Sequence, residues 1–142
     1  MSYDLAVFDP AAAPSDRGEF EDWYGSVTNW GDPRGHHDPV ICSPPLRSWF
    51  LEMIKEFPAL NGPYGVPRGD AMDDPRVSMY GIAEHLIYVG FASSQAKAAY
   101  EACLRLAAKH RVGFFDVSDD GSVWLPDGNG GLAMAQKERK GA

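Results

Sequence analysis

The most regular pattern of apolar and polar positions lies between His85 and Ser118. Leu86 to Phe91 is a continuous apolar run, too short for an independent helix and rich in β-branched and aromatic residues. It predicts a central strand that is buried on both faces. Residues 93–109 then repeat small and apolar side chains at the three-and-four spacing of a helix. Phe114 to Val117 predicts a second strand, and such short links indicate a right-handed strand-helix-strand unit.

Two helices are predicted before this unit. Residues 15–30 carry an apolar stripe behind acidic first turns, with Ser15 as the expected cap, which is typical of a helix start. Ser43-Pro44-Pro45 opens the clearest amphipathic pattern in the chain, with a cap followed by proline in the first helical turn. Phe57-Pro58 marks its end.

Three further strands complete the predicted elements. Alternation over Tyr3–Asp9 indicates a strand with one face more buried than the other. Residues 77–83 and 122–125 each lie next to a tight reversal and predict strands in hairpins. Between Ala59 and Pro75, repeated proline and glycine predict a long exposed loop.

The predicted order is strand, helix, helix, strand, strand, helix, strand, strand. It indicates an α+β fold, a two-layer sandwich of the ferredoxin-like kind, with an antiparallel or mixed sheet of four to five strands and three helices on one face. Residues 1–126 are predicted to form a single globular domain. Glycine and charge in residues 127–142 predict a flexible C-terminal tail, and Gly113 is expected to help end the last helix.

Composition narrows the class of protein. An apolar fraction of 44% and an aromatic fraction of 12% support a packed core. The net charge of −7 argues against nucleic acid as a partner, because phosphate binding needs clustered Lys and Arg. This charge suits a basic protein partner, although net acidity also favours solubility.

The cysteines and the N-terminus indicate a cellular compartment. Cys42 and Cys103 are too few for a disulfide framework, and Cys103 lies on the predicted buried face of a helix. The chain begins without a basic region followed by an apolar run, and no apolar stretch has the length of a membrane span. The sequence therefore predicts a cytoplasmic protein with two reduced thiols and no membrane association.

One loop carries residue types that suit a metal or a nucleophile. His36, His37 and Asp38 are metal-ligand types, but adjacent residues rarely reach one ion together, so a solvated polar loop is favoured and no metal or other cofactor is predicted. Cys42 follows these histidines and precedes a helix N-terminus that would lower the pKa of its thiol. It is the best nucleophile available, yet no residue is assigned as catalytic. The alternative hypothesis is a small enzyme or ligand-binding domain that uses residues 36–42.

Acidic loops suggest a protein-binding surface instead. Trp30 falls at a helix end among polar residues, where an aromatic side chain can anchor an interface. The candidate partner-binding residues are Trp30, Asp32, Asp70, Asp73, Asp74, Asp119 and Asp120. A homodimer that pairs through an edge strand at residues 122–125 is a further possibility.

Several motifs resemble a group of small, mostly uncharacterised bacterial proteins. They are Met-Ser-Tyr-Asp-Leu at the start, Phe8-Asp9-Pro10, Phe20, Trp23-Tyr24, Trp49-Phe50, Phe57-Pro58, Asn61-Gly62-Pro63, and the run from Val112 to Ser118. The resemblance covers most of residues 1–126, and its motifs are structural rather than catalytic. Some members of such groups are immunity proteins that neutralise polymorphic or contact-delivered toxins. The resemblance therefore implies an immunity protein. The acidic balance, the acidic loops and the lack of an assembled catalytic set predict a non-enzymatic binding protein, most specifically an inhibitor whose acidic loops cover the basic active site of a cognate toxin.

Overall fold

A computed structural model describes residues 2–28, 37–60, 62–67, 69 and 73–136. The fold is α+β, with six strands in one open antiparallel sheet of order β2-β3-β1-β4-β5-β6. The strands are β1 (Ser2–Phe8), β2 (Met79–Ile82), β3 (Leu86–Ala92), β4 (Gly113–Phe115), β5 (Val123–Pro126) and β6 (Leu132–Gln136). The helices are α1 (Arg17–Val27), α2 (Pro44–Glu56) and α3 (Ala96–His110). Within the described residues, no helix is long and apolar enough to cross a lipid bilayer.

The helix ends differ in detail from the predicted ones. Asp16 rather than Ser15 caps α1, since its carboxylate accepts a hydrogen bond from the backbone N–H of Glu19 at 3.0 Å. Helix α3 ends at Arg111, which adopts the left-handed conformation with φ of 58°. Gly113, predicted to help end the helix, is instead the first residue of β4.

Helices cover both faces of the sheet. Leu5 and Val7 of β1 point into the larger core, which α2 and α3 cover. Ala6 and Phe8 point to the opposite face, where Phe20 of α1 completes a second core. The prediction of a two-layer sandwich with three helices on one face is therefore wrong. An amphipathic stripe shows that a helix is covered on one side, but it does not show which side of the sheet the helix covers.

The second core is largely aromatic. The ring of Phe20 meets Phe8 and Phe115 edge-to-face, with centroids 5.4 and 5.1 Å apart. Trp23 adds a third contact, 6.0 Å from Phe8. Edge-to-face pairs at these distances contribute beyond the area that they bury. Helix α1 is thus held on the sheet by a few large rings rather than by a long apolar interface.

The sheet is one strand wider than the largest predicted sheet. Residues 127–136, expected to belong to a flexible tail, form a turn and then β6, which pairs with β5 from Pro126 opposite Leu132 back to Val123 opposite Gln136. Because β4 and β6 flank β5, residues 122–125 do not form the free edge predicted for homodimer pairing. The edge strands are β2 and β6.

We expect Gly113→Ala to destabilise the fold. A Cβ atom at this position would lie 2.3 Å from Cζ of Phe8, inside the second core. Such overpacking should lower the free energy of unfolding by roughly 1–3 kcal/mol, measured by urea denaturation. Gly25→Ala is the matched control. Nothing lies within 4 Å of its Cβ, so alanine should leave stability unchanged or raise it by up to about 1 kcal/mol through helix propensity. Equal effects of the two substitutions would contradict this packing.

Candidate functional site

The topology brings two acidic loops to the same end of the sheet. Met79, which starts β2, lies opposite Gly90 of β3, and Gly90 lies opposite Asp4 of β1. Ser118, which follows β4, donates its backbone N–H to the carbonyl of Asp4 at 3.1 Å. The loop before β2 and the turn after β4 therefore leave the sheet on the same side. We call the carboxylates of these loops the acidic end, meaning Asp73, Asp74, Asp116, Asp119 and Asp120.

Residues 116–122 form a tightly bonded connection between β4 and β5, which we call the acidic turn. The backbone N–H of Asp116 donates to the carbonyl of Ser122, and that of Gly121 donates to the carbonyl of Asp116, both at 2.9 Å. Asp120 accepts from the backbone N–H of Ser122 at 2.9 Å. The hydroxyl of Ser118 accepts from the backbone N–H of Asp4 at 2.7 Å. These bonds fix the turn to β1 and hold the side chains of Asp119 and Asp120 in solvent.

Asp116 is the unusual residue of this turn. Its side chain is buried, with the residue 2% exposed, and its Oδ1 atom has no hydrogen-bond partner among the described residues. Burial, followed by the charges of Asp119 and Asp120, raises the pKa of this carboxyl to about 6, against a backbone hydrogen bond from Asp119. A buried carboxylate with one unsatisfied oxygen is costly, so it marks a place that needs an explanation.

Two tyrosines at the larger core, on the face of the sheet that α2 and α3 cover, lie within electrostatic range of this carboxyl. Burial raises the pKa of the Tyr3 hydroxyl above its usual value, and the negative charge of Asp116 is the second cause. The pKa of Tyr100, on α3, is raised by burial and then by Asp116, Asp120 and Asp119. Both hydroxyls therefore stay protonated at neutral pH, as hydrogen-bond donors beside a negatively charged turn.

An apolar groove begins beside the acidic turn. It has a volume of about 360 Å³ and lies between Leu104 and Ala108 of α3 and Trp124 and Leu132 of the β5–β6 hairpin. Tyr100 forms its end and packs edge-to-face on Phe114 with centroids 5.5 Å apart. Exposed Glu101 and Arg105 also line the groove.

Trp124 joins the groove to the acidic turn. Its indole N–H donates to the hydroxyl of Ser122 at 3.0 Å, while its ring lines the groove. Ser122 is itself bonded to Asp116 and Asp120 through its backbone. The groove and the turn are therefore one continuous surface, apolar along α3 and acidic at the end marked by Tyr100.

The width of the sheet accounts for the groove. Strands lie about 4.8 Å apart, whereas a helix with its side chains is about 10 Å wide, so two helices cover about four strands. The six-stranded sheet exceeds that width. Trp124 and Leu132, on the two outermost strands beyond β4, pack only partly against the larger core. The uncovered strip beside α3 is the groove.

The loop around His37 has structural roles. Nδ1 of His37 lies 3.0 Å from the carbonyl of Tyr80, and Asp38 caps a short 3-10 turn by accepting from the backbone N–H of Val40 at 3.0 Å. Arg47 donates to the carbonyls of this turn. The described residues hold no group of three or more His, Cys, Asp or Glu side chains that could hold a metal ion.

Cys42 lies beneath this loop as a core residue. It is 3% exposed, and its thiol donates to the carbonyl of Pro39 at 3.1 Å. Burial raises the pKa of the thiol to about 11, although the positive charge of Arg47 opposes this shift. The net change in this pKa is opposite to the lowering expected from the following helix, because desolvation of the thiolate outweighs the nearby positive charge.

The predicted partner-binding residues fall into two groups. Trp30, Asp32 and Asp70 lie outside the described residues, as does His36 of the alternative ligand loop. Asp73, Asp74, Asp119 and Asp120 are exposed and belong to the acidic end. Sequence patterns alone do not assign Asp116, Tyr100 or Trp124 to a partner-binding surface. Two features of the sequence could have indicated them. Asp116 is a carboxylate directly after the apolar pair Phe114-Phe115, and Val123 to Leu125 are three consecutive apolar residues in a short strand.

Comparison of the chain with protein-family models, with curated proteins and with solved structures found no match.

We expect Asp116 to make the stability of the protein depend on pH. Its pKa rises from 3.8 in the unfolded chain to about 6 in the folded protein. Between these values the folded state holds a proton that the unfolded state has released, so stability falls as pH rises. Asp116→Asn should remove this loss. The stability of the variant relative to the native protein should rise, on the order of 2–3 kcal/mol, from about pH 4 to pH 7, measured by urea denaturation.

Asp73→Asn, on an exposed loop, serves as the control for the pH experiment and should keep the pH dependence of the native protein. The same dependence in Asp116→Asn as in the native protein would show that this carboxyl does not titrate in the range given.

We expect both thiols to be unreactive in the folded protein, because Cys42 and Cys103 are buried. Their reaction with Ellman's reagent near pH 8 should be slower than in guanidinium chloride by about a hundredfold or more. Rapid modification of one thiol per chain under native conditions, lost in Cys42→Ser, would contradict the burial of Cys42 and revive the nucleophile hypothesis.

Proposed function

We propose that this protein is a non-enzymatic binding module that recognises a basic protein partner through the acidic end of the sheet. The observation that supports the proposal is the convergence of the loop before β2 and the turn after β4, which places four exposed aspartates on one side of the molecule. Opposite charges on two partners speed their encounter and select one partner over others.

We further propose that the partner is a bacterial toxin and that the protein is the immunity-type inhibitor that protects the producing cell in the cytoplasm. The resemblance of its motifs to small bacterial proteins that include immunity proteins suggests this role. A toxin that acts on an anionic substrate has a basic active site, and a rigid acidic surface would cover it. The many hydrogen bonds of the acidic turn support such rigidity, since a preordered surface loses less conformational entropy on binding.

The scaffold suits this role. We assign β1, α2, β2, β3, α3 and β4 to the ferredoxin-like class, because these strands are antiparallel in the order β2-β3-β1-β4. On this assignment α1 and the β5–β6 hairpin are additions to the class. The acidic turn then joins the common unit to the added hairpin.

Charge reversal at the two loops tests the proposal. We expect the tagged protein, purified from its bacterial host at low salt, to retain a basic protein whose expression alone arrests growth. The double variant Asp73→Lys/Asp119→Lys should weaken this association by about 100-fold or more, measured by titration calorimetry, and should no longer restore growth. Both positions are exposed, so the variant should fold normally.

The matched control is Asp22→Lys/Glu84→Lys, which changes the net charge equally at exposed positions outside the acidic end. It should bind within about threefold of the native protein, because exposed charges farther away than a Debye length of about 10 Å are screened. Equal losses in both double variants would mean that only net charge matters. An acidic partner, or one whose binding neither variant affects, would overturn the proposed surface.

A further inference from the structure

The groove and the acidic turn together indicate how a partner would be recognised. It rests on the proposed function, because it specifies which part of a basic protein contacts this chain. A groove alone does not identify its occupant, and a cluster of carboxylates alone does not form a site. The two features adjoin here at Tyr100 and Trp124, and Asp116 lies buried beneath them with an unsatisfied oxygen.

The volume and lining of the groove fit an apolar group of limited size. Its volume of about 360 Å³ exceeds what one leucine side chain fills and matches a short segment with one or two apolar side chains. Its apolar wall is made by Leu104, Ala108 and Leu132, together with the ring of Trp124. Burying these surfaces against an apolar side chain contributes about 25 cal/mol per Å² before the costs of association.

The negative charge of the acidic turn favours a cation next to that apolar group. Asp119 and Asp120 present carboxylates to solvent, while the carboxyl of Asp116 is 2% exposed and lacks a donor to its Oδ1 atom. The groups that face Asp116 are Tyr3 from β1, Tyr100 from α3, and Asp119 and Asp120 from its own turn. Arg17 of α1 also reaches the turn, where it donates to the carbonyl of Gly121, but it is paired with Glu21. No cation is among the groups that shift the pKa of Asp116, so a positive charge next to Asp116 and Asp119 would have to come from a partner.

We propose that the groove and the acidic turn form one recognition site for a partner segment in which an apolar side chain fills the groove and an adjacent lysine or arginine pairs with the turn. The segment lies along α3 with its apolar group between Leu104 and Trp124. Its cation extends past Tyr100, pairs with the carboxylate of Asp119 and interacts electrostatically with Asp116. Electrostatic pairing at the turn and apolar burial in the groove then act together, which discriminates against segments that carry only one of the two groups.

The site also couples binding to pH. A cation above the turn favours the ionised form of Asp116, so binding releases a proton wherever this carboxyl is protonated in the free protein. Affinity for the cationic segment therefore rises as the pH increases from about 5 to 7. Replacing Asp116 by Asn removes this part of the pH dependence.

A peptide titration tests the site with a defined probe. The probe is an acetylated and amidated peptide of sequence Gly-Leu-Leu-Lys-Gly, and the matched peptide has Glu in place of Lys. Binding to the full-length protein is followed at pH 7 and low salt by the ¹⁵N-¹H signal of the Trp124 indole, which donates to Ser122 at the groove. We expect the lysine peptide to shift this signal and to bind about tenfold or more tightly than the glutamate peptide.

Three variants examine the groove, the acidic turn and the pH dependence. Leu104→Gln should weaken binding of the lysine peptide by roughly three- to tenfold through loss of apolar contact, whereas Leu51→Gln, a matched change on the exposed face of α2, should leave it within about twofold. Asp119→Asn should weaken it by a similar factor, and Asp73→Asn should not. In Asp116→Asn, the rise in affinity between pH 5 and pH 7 should shrink by at least about half.

Several outcomes would overturn the site. They are equal binding of the lysine and glutamate peptides, absence of a Trp124 shift at millimolar peptide, or equal effects of the site variants and their controls. Such results would leave the proposed function intact if the basic partner still depends on Asp73 and Asp119. Conversely, specific peptide binding without any toxin-like partner would retain the site and refute the immunity role.

Discussion

The burial of β1 on both faces is the constraint on which the rest of the structure depends. It pairs with β3 along its length and with β4 near its end, and Leu5, Ala6, Val7 and Phe8 are at most 1% exposed. Since alternate residues of a strand point to opposite faces, one strand supports two separate cores. A shift of register by one residue would exchange their residues, so the aromatic contacts of α1 and the packing of α2 and α3 fix the same register.

The larger core also determines where function can lie. Helices α2 and α3 are joined across their contact by a hydrogen bond from the indole of Trp49 to the carbonyl of Cys103 at 3.4 Å, and by ion pairs at their surface. They cover the middle of the sheet and leave its two outer strands on one side. The acidic end and the groove therefore lie in the loops and in the strip beside α3. The cysteines, which invite a catalytic interpretation in the sequence, lie inside the packed region and contribute volume rather than reactivity.

Local patterns made most elements predictable, and interactions between distant segments account for the rest. The sequence predicts the strand Leu86–Ala92 and the helix after Ser43 because their patterns of apolar residues are local. Strand β6, Leu132–Gln136, is not predicted from the sequence. Two of its five residues are alanine, and it is stabilised by pairing with β5. The exposure of Asp119 and Asp120 followed from their turn sequence. The burial of Asp116 did not, since burial depends on how distant segments pack, and the tyrosines whose pKa values it raises, Tyr3 and Tyr100, lie far away in the chain.

The two walls of the groove differ in how firmly the fold holds them. Helix α3 buries five residues and lies against both β1 and β4, whereas β6 contributes only a partly buried Leu132, followed by exposed residues 133–135. Segments with few buried apolar contacts open at a lower free energy than the global core. We therefore expect the hairpin wall to open more readily than the helical wall, and a ligand that orders the hairpin loses conformational entropy on binding. Occupancy would appear as slower amide hydrogen exchange in the hairpin, even where the melting temperature hardly moves.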